Sequence, residues 1–451
     1  MVMRKRTGLI LFGICALLVS PASPGEEFLV RLRSKARDIR ESADRQGLHV
    51  VRALDPAGST YVVTSVDDLD GESFLSSLSA DPDVDAVESV STVPLPELQS
   101  PGGYDFEATI RGWLSSYKAK KLLGSRSYYE YFGDPVWSSY LAQPLVGITE
   151  LGRAQRMATG RGVTVAVIDT GIANHPALED SLVVGYDFLR DEPVAGEDDL
   201  PVSDPGMPDV QQGTTVVLNL MERPPDGGYW GGGYDAPTLR QYAAVGHGTM
   251  IAGVIHLIAP KARLMPLRVF GPDGRTDTAT IIRAIYYAVD HDAEVINMSF
   301  STNELSPELT RAIDYATRRG VICVASAGNQ ARDAESYPAS LSNVLGVAAT
   351  DDNDRRSLFS NFGSKVAKLA APGEGILTTY LDGAYAVGWG TSFSTALVSG
   401  GAALLLDIES LDQFEVAETF SRSAERISRD LGRIDLYSAV QRAANHDCER
   451  H

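Results

Sequence analysis

The sequence places an aspartate, a histidine and a serine at positions suited to nucleophilic catalysis. Asp169 ends the apolar run VTVAVID, His247 lies between two glycines in GHGTMIAGVIHLIA, and Ser392 opens the apolar stretch of GTSFSTALVSG. Hydrolysis of an amide at neutral pH requires a nucleophile, a base that accepts its proton, and an acid that holds the base in one tautomer. Serine, histidine and aspartate can supply these three functions.

Each residue alone also has an ordinary structural interpretation. An acid at the end of a strand can be a loop or cap residue, and a histidine before an apolar helix can be structural. Ser392 can be the N-cap of the helix that follows it. Other candidates for that cap are Thr391, Ser394 and Thr395. Asn329, in SAGN, can be part of a turn. The combination of these residues, in the chain order Asp, His, Ser, is what indicates catalysis.

The elements that must position these residues form an alternating α/β pattern. Short, nearly continuous apolar runs occur at 163–169, 263–270, 293–300, 320–329 and 343–350. Stretches with helical periodicity lie between them, at 278–291 and 307–320. Buried parallel strands have unbroken apolar runs, and they need crossover helices. The pattern therefore predicts a doubly wound, mostly parallel sheet with helices on both faces, whose strand ends carry the reactive groups.

Three sequence blocks, AVIDTGIANHPAL, GHGTMIAGVI and GTSFSTALVSG, resemble those of the subtilisin family, in the same order. The resemblance extends from about Pro135 to Val440. It implies a serine endopeptidase that works through an acyl-enzyme and requires no cofactor for its chemistry. Asp169, His247 and Ser392 would be its catalytic triad. The side-chain amide of Asn329 would stabilise the oxyanion together with the backbone N–H of Ser392.

The resemblance also implies how a protein or peptide substrate binds. An extended peptide would add as a β-strand between two segments of the enzyme. The matching segments consist of Met298, Ser299, Phe300 and Ser301, and of Ala325, Ser326, Ala327 and Gly328. The Tyr337-Pro338-Ala339 stretch matches the loop that closes the primary specificity pocket.

The sequence departs from the family pattern at three places. Ser392 is followed by Phe393-Ser394-Thr395-Ala396 instead of Met-Ala-x-Pro, and alanine can continue a helix there. Ser301 replaces a glycine of the substrate strand, which narrows the predicted pocket. The calcium loop usual after the histidine helix is not recognisable, and the acidic run from Asp191 to Asp204 lacks EF-hand spacing. The sequence therefore leaves open whether a structural calcium ion binds, and no metal ligands are assigned.

The N-terminal part predicts a secreted precursor. A signal peptide is predicted at 1–22, from basic residues at 4–6, an apolar run at 9–19 and small residues up to Ala22. The alternative is that this segment is not cleaved and serves as a short membrane anchor. Residues 23–98 resemble the inhibitory propeptide of subtilisins, a small α+β, ferredoxin-like unit; an independent module is the alternative. A linker at 99–134 precedes the peptidase domain at 135–445. That domain carries an acidic and Gly-rich insertion at about 189–241.

Composition excludes some partners. A net charge of −19 with no basic stripe argues against binding nucleic acid. No segment after the signal has eighteen uninterrupted apolar residues, so we expect no stable membrane span after signal removal and a secreted or periplasmic location. Cys323, in an apolar run, is predicted to be buried and unreactive.

Two other functions are alternatives to this interpretation of the sequence. A catalytically silent subtilisin-like scaffold that binds peptides would share the fold, although the complete set of catalytic residues argues against it. A sedolisin-type carboxyl peptidase would need a glutamate in place of His247.

Overall fold

The structure is a computed structural model that describes residues 26–33, 39, 43, 47–65, 71–98, 112–113, 115–116, 119–120, 122, 127–194, 215–217 and 236–450. The predicted signal peptide, most of the predicted linker and most of the acidic insertion lie outside these residues. The chain divides into two compact units, Met1–Arg52 with Tyr61–Ser89, and Ala53–Thr60 with Val90–His451.

The smaller unit is built on a four-stranded sheet. Its elements are β1 (Glu27–Leu32), β2 (Leu48–Ala53), β3 (Thr60–Ser65), α1 (Gly71–Ser79) and β4 (Val84–Ser89). The strand order is β2-β3-β1-β4, and β1 runs antiparallel to β4. Alternating apolar residues such as Val30, Val63 and Val84 are buried on one face of the sheet and form a small core.

The larger unit contains seventeen strands in its described part. They are β5 (Thr92–Pro94), β6 (Tyr128–Tyr131), β7 (Asp134–Trp137), β8 (Thr164–Asp169), β9 (Gly185–Asp187), β10 (Glu192–Val194), β11 (Thr215–Val217), β12 (Arg263–Arg268), β13 (Arg275–Asp277), β14 (Val295–Met298), β15 (Ile322–Ser326), β16 (Leu345–Thr350), β17 (Leu369–Pro372), β18 (Ile376–Thr379), β19 (Tyr385–Gly388), β20 (Glu425–Arg426) and β21 (Gly432–Arg433).

The α-helices of this unit are α2 (Ser138–Leu141), α3 (Pro144–Ile148), α4 (Leu151–Ala154), α5 (Ala236–Ile258), α6 (Thr278–Asp290), α7 (Pro307–Thr317), α8 (Thr391–Ile408), α9 (Gln413–Ser423) and α10 (Leu436–Arg450). Single 3₁₀ turns occur at Pro96–Leu98, Glu179–Ser181 and Leu381–Gly383. Local sequence explains several helix starts. Asp277 caps α6, Ser306 caps α7 just before Pro307, and Asp412 caps α9.

A ten-stranded sheet forms the centre of the unit, in the order β10-β9-β12-β8-β14-β15-β16-β17-β21-β20. Every pair from β9 to β21 is parallel, and antiparallel strands occur at the two edges, β10 and β20. The residues of β8, β14, β15 and β16 are all buried. The prediction of a doubly wound, mostly parallel α/β sheet is therefore confirmed.

The central helix α8 packs against α5 and against the inner strands of the sheet. Among the described helices, α8 alone is long and apolar enough to cross a membrane, yet 83% of it is buried in this unit. Its apolar character is explained by that burial, because a core helix must be apolar on every side.

Two stretches are more regular than the sequence indicates. The predicted linker at 99–134 already contains β6, which forms a hairpin with β7. Helix α5 already begins at Ala236, inside the predicted insertion. Neither stretch shows a strong apolar period, so tertiary contacts rather than local pattern determine its structure.

Candidate active site

Asp169 is the last residue of β8 and is fully buried. Its Oδ1 atom accepts a hydrogen bond from the Thr170 N–H at 2.7 Å. The two carboxylate oxygens lie 2.8 and 2.9 Å from Nδ1 of His247. Because both oxygens face Nδ1, this nitrogen carries a proton, and Nε2 faces away from Asp169.

His247 lies in α5 between two glycines that allow close packing. A Cβ atom on Gly246 would lie 2.1 Å from the Tyr380 ring, and one on Gly248 would lie 2.1 Å from the carbonyl oxygen of Gly171. Any side chain at these positions would push α5 away from its neighbours. The glycines therefore bring the helix close enough to β8 for the contact between His247 and Asp169.

We expect Gly248→Ala to destabilise the protein by about 1–3 kcal/mol, because the added methyl group has no space beside Gly171. The substitution should also lower turnover, since it separates α5 from Asp169. Chemical denaturation and a peptide assay measure the two effects. Gly152→Ala is the control, because a Cβ atom at Gly152 in α4 would meet nothing within 4 Å. Equal behaviour of the two variants would contradict this explanation of the glycine.

Ser392 lies in the first turn of α8 and is fully buried. Its hydroxyl donates to the carbonyl oxygen of Ser299 at 3.2 Å, and the Ser299 hydroxyl donates to the carbonyl oxygen of Ser392 at 3.1 Å. The ring of the next residue, Phe393, packs edge-on against His247, with centroids 6.3 Å apart. The N–H of Ser392 has no intrahelical acceptor, as is usual in the first turn of a helix.

Asn329 follows β15 and is held by its amide oxygen. That oxygen accepts hydrogen bonds from the N–H of Thr391 at 3.0 Å and from the Thr391 hydroxyl at 2.8 Å. The amide nitrogen consequently faces the other way, toward the space beside Gly390, where a Cβ atom would lie 3.3 Å from it. The structure therefore brings Asn329 to the same end of the sheet as the three other predicted residues.

A carboxylate that the sequence analysis did not assign also lies at this site. Glu97 belongs to the 3₁₀ turn Pro96–Leu98, and its side chain is 3% exposed. One of its oxygens lies 3.4 Å from Nε2 of His247, and the other accepts a hydrogen bond from the Asn329 amide at 3.4 Å. No local signal in the sequence identifies Glu97, because its position depends on the long-range pairing of β5 with β13 within the larger unit.

The two carboxylates raise the pKa of His247. Burial lowers the pKa of the imidazole, but the negative charges of Asp169 and Glu97 outweigh it and raise the pKa from its usual 6.5 to about 10. At neutral pH the imidazole is therefore protonated.

The predicted substrate segments are neighbours in one sheet. Met298 of β14 pairs directly with Ala325 of β15, so no peptide strand fits between these two residues. The expected position of the substrate between the two segments is therefore wrong at this pair of residues, and for Ser299–Ser301 and Ser326–Gly328 it stays a prediction. An added strand is instead seen at β13, where β5 pairs antiparallel with Arg275–Asp277. β13 is not among the substrate segments predicted from the sequence.

Other histidines have structural partners. His256 pairs with Asp134 at 3.2 Å, and His175 is buried against Tyr385, where burial lowers its pKa to about 4. Cys323 is buried and free, as predicted, and burial raises its pKa to about 12. In the described part of the chain, no group of three or more His, Cys, Asp or Glu side chains can hold a metal ion.

Comparison with protein families identifies the larger unit. Residues 160–439 match the family model described as the subtilase family. The chain belongs to the subtilase family. It is a subtilisin-like serine endopeptidase that acts on proteins or peptides, and the resemblance predicted from the sequence is confirmed.

Relatives support this membership over most of their own length. Thermitase from Thermoactinomyces vulgaris is 32% identical over 315 residues, which cover 68% of this chain and 98% of thermitase. Subtilisin BL from Lederbergia lenta is 33% identical over 259 residues, which cover 55% of this chain and 78% of that protein.

A solved structure has a similar fold over most of this chain. Fervidolysin from Fervidobacterium pennivorans, described as a keratinolytic enzyme related to subtilisin, is 21% identical with a TM-score of 0.65. The match covers 93% of this chain and 62% of fervidolysin. At this level of identity the comparison supports the fold alone.

Proposed function

We propose that Asp169, His247 and Ser392 are the catalytic triad of this subtilase. The observation that carries the proposal is the orientation of His247. Both oxygens of Asp169 hold Nδ1, at 2.8 and 2.9 Å, which leaves Nε2 directed toward the space that Asn329 also faces. A base whose Nδ1 is held by a carboxylate, beside an amide donor and a helix N-terminus, is the arrangement that acyl transfer requires.

Each residue of the triad acts in a defined step of peptide hydrolysis. A change of side-chain rotamer turns the Ser392 hydroxyl from Ser299 toward Nε2 of His247, which accepts its proton as Oγ bonds to the substrate carbonyl carbon. His247 then gives this proton to the departing amine as the C–N bond breaks. Water, deprotonated by His247, releases the acyl group, and Oγ regains its proton. Asp169 stabilises the protonated imidazole throughout. All proton transfers use residues of the chain, so the chemistry needs no cofactor.

The oxyanion would be bound by two donors. The Asn329 amide nitrogen and the N–H of Ser392 would both donate to the oxygen on which negative charge develops, and the N-terminus of α8 would add a favourable dipole. Thr391 supports this arrangement because it fixes the amide oxygen of Asn329.

We expect Asn329→Ala to lower kcat by about 10²–10³-fold, the loss known for removal of an oxyanion donor in subtilisin. KM should change much less, because the oxyanion exists only in the transition state. Steady-state kinetics on one peptide substrate measure both constants. A higher KM with unchanged kcat would assign Asn329 to ordinary substrate binding.

The substrate would bind as an added β-strand. The pairing of β5 with β13 supports this proposal, since there an extended segment of the chain adds as an antiparallel strand along Arg275–Asp277. The other side of the substrate would contact Ser299–Ser301 and Ser326–Gly328, which continue beyond β14 and β15.

Secretion and self-processing complete the proposal. The signal-like N-terminus supports export, and one relative, 32% identical over 327 residues, is an extracellular basic protease from Dichelobacter nodosus. The segment 23–98 would act as the chain's own inhibitor and would be removed by the enzyme itself. Active-site labelling tests the function directly. A silent peptide-binding scaffold would bind peptides but would not react with a fluorophosphonate.

A further inference from the structure

The contacts of Glu97 differ from those of a peptide group ready for cleavage. A reacting peptide presents a carbonyl carbon to Ser392 and a carbonyl oxygen to the oxyanion donors. Here a side-chain carboxylate contacts both His247 and Asn329, at 3.4 Å each. Meanwhile the Ser392 hydroxyl donates to Ser299 and not to the imidazole.

The segment before Glu97 is fixed by contacts of its own. Strand β5 pairs with β13, and the N–H of Leu95 donates to the carbonyl oxygen of Gly274 at 3.0 Å. Leu95 is fully buried. The Ser91 hydroxyl donates to Glu304 at 2.6 Å. These contacts end where the 3₁₀ turn begins, so the turn directs the Glu97 side chain into the site.

The space that receives the carboxylate is shaped for a small oxygen group. A Cβ atom on Gly390 would lie 2.4 Å from the near oxygen of Glu97, so any side chain at this position would collide with it. The same oxygen receives the Asn329 amide. A carboxylate oxygen is similar in size and charge to the oxyanion that these donors are proposed to stabilise.

We propose that the Glu97 carboxylate is a latch that binds His247 and the oxyanion donor, and so keeps the intact chain inactive at Ser392 until Glu97 leaves the site. This inference rests on the proposed function. It assigns the inhibition to one charged side chain rather than to occupation of the cleft by the segment as a whole. The chemical group that this site binds is a carboxylate.

Two consequences follow from this contact. A protonated imidazole cannot accept the proton of Ser392, and the raised pKa of His247 keeps it protonated at neutral pH. The charged groups that contact the imidazole in the described residues are Asp169, from β8, and Glu97, from the 3₁₀ turn; Phe393, from α8, presents an uncharged ring. Removal of the Glu97 charge should therefore lower the pKa of His247 while its bond to Asp169 stays.

The test uses the full chain with Glu97→Gln, which keeps the shape of the side chain and removes its charge. The matched control is Glu304→Gln. It makes the same change in an exposed residue, whose carboxylate accepts a hydrogen bond from Ser91 of the segment before Glu97. Each precursor is treated with a fluorescent fluorophosphonate, and label is measured in the intact band after electrophoresis. We expect Glu97→Gln to react at least about tenfold faster than wild type, and Glu304→Gln to react at the wild-type rate. A Glu97→Gln precursor that reacts no faster than wild type, while mature wild type reacts, would overturn the latch.

A second readout does not depend on activity. In full-length chains that also carry Ser392→Ala, the ¹⁵N shifts of the His247 imidazole are followed against pH by NMR. With Glu97 present the ring should stay protonated well above neutral pH, and with Glu97→Gln or Glu97→Ala it should lose its proton at lower pH. An unchanged titration would overturn the latch even if labelling fails. Failure of mature wild type to react at Ser392 would instead overturn the proposed function.

Discussion

Replacement of Ser392 by alanine is expected to lower turnover by about 10⁶-fold, the loss seen when the nucleophile of subtilisin is removed. The reason is that the proposed acyl-enzyme forms on the Ser392 hydroxyl. The neighbouring hydroxyls of Thr391 and Ser394 donate instead to the Asn329 amide oxygen and to the carbonyl oxygens of Ala371 and Pro372. The precursor should also stay near full length, less its signal, because the proposed self-processing needs the same nucleophile. The measurements are hydrolysis of a peptide substrate and the N-terminus of the purified protein.

The matched control for this experiment is Ser394→Ala. Ser394 lies in the same first turn of α8, but its hydroxyl donates to the carbonyl oxygens of Ala371 and Pro372. This variant should lose some stability and still hydrolyse peptide. Expression in a host without other secreted proteases is necessary. If Ser392→Ala matures to the wild-type N-terminus, another protease removes the N-terminal segment and self-processing is wrong.

Asp169→Asn should keep the fold and lower kcat by about 10⁴-fold, as in the corresponding change in chymotrypsin-type enzymes. Asparagine can still contact Nδ1, but its amide can donate to that nitrogen and thereby favour the wrong tautomer. It also removes the negative charge that stabilises protonated His247. The loss should appear in kcat, at pH values where the wild type is fully active.

Asp187→Asn tests whether any buried aspartate at a strand end has this effect. Asp187 ends β9 and pairs with Arg268 at 2.9 Å, away from His247. Its replacement should cost stability, while turnover per folded molecule stays close to wild type. If Asp169→Asn stays within about tenfold of wild type, Asp169 is not the orienting acid.

The sequence predicts the parts of the site that depend on local pattern. The end of an apolar strand locates Asp169, the glycines around His247 predict a close helix approach, and the start of the apolar helix locates Ser392. Because parallel strands share one edge of the sheet, a correct strand pattern brings these residues and Asn329 together. Their roles remain predictions until the variants are measured.

Features that depend on long-range packing could not be predicted in this way. Glu97 reaches the site only because β5 pairs with β13, 183 residues away between Val93 and Thr276. The role proposed for β13 in substrate binding also comes from this pairing, whereas the sequence pointed only to Met298–Ser301 and Ala325–Gly328 as substrate segments. The hairpin of β6 and β7 has no clear period either, and its pairing is visible only in the structure.

The central claim is that Ser392, activated by His247, is the nucleophile. It is tested most directly by treating the mature wild-type protein with a fluorophosphonate and locating the adduct by mass spectrometry of its peptides. The account predicts one adduct, on the peptide that contains Ser392, with loss of peptide hydrolysis in proportion to labelling, and little adduct in Asp169→Asn. A protein that hydrolyses peptides while Ser392 stays unmodified, or one modified at another serine, would contradict it.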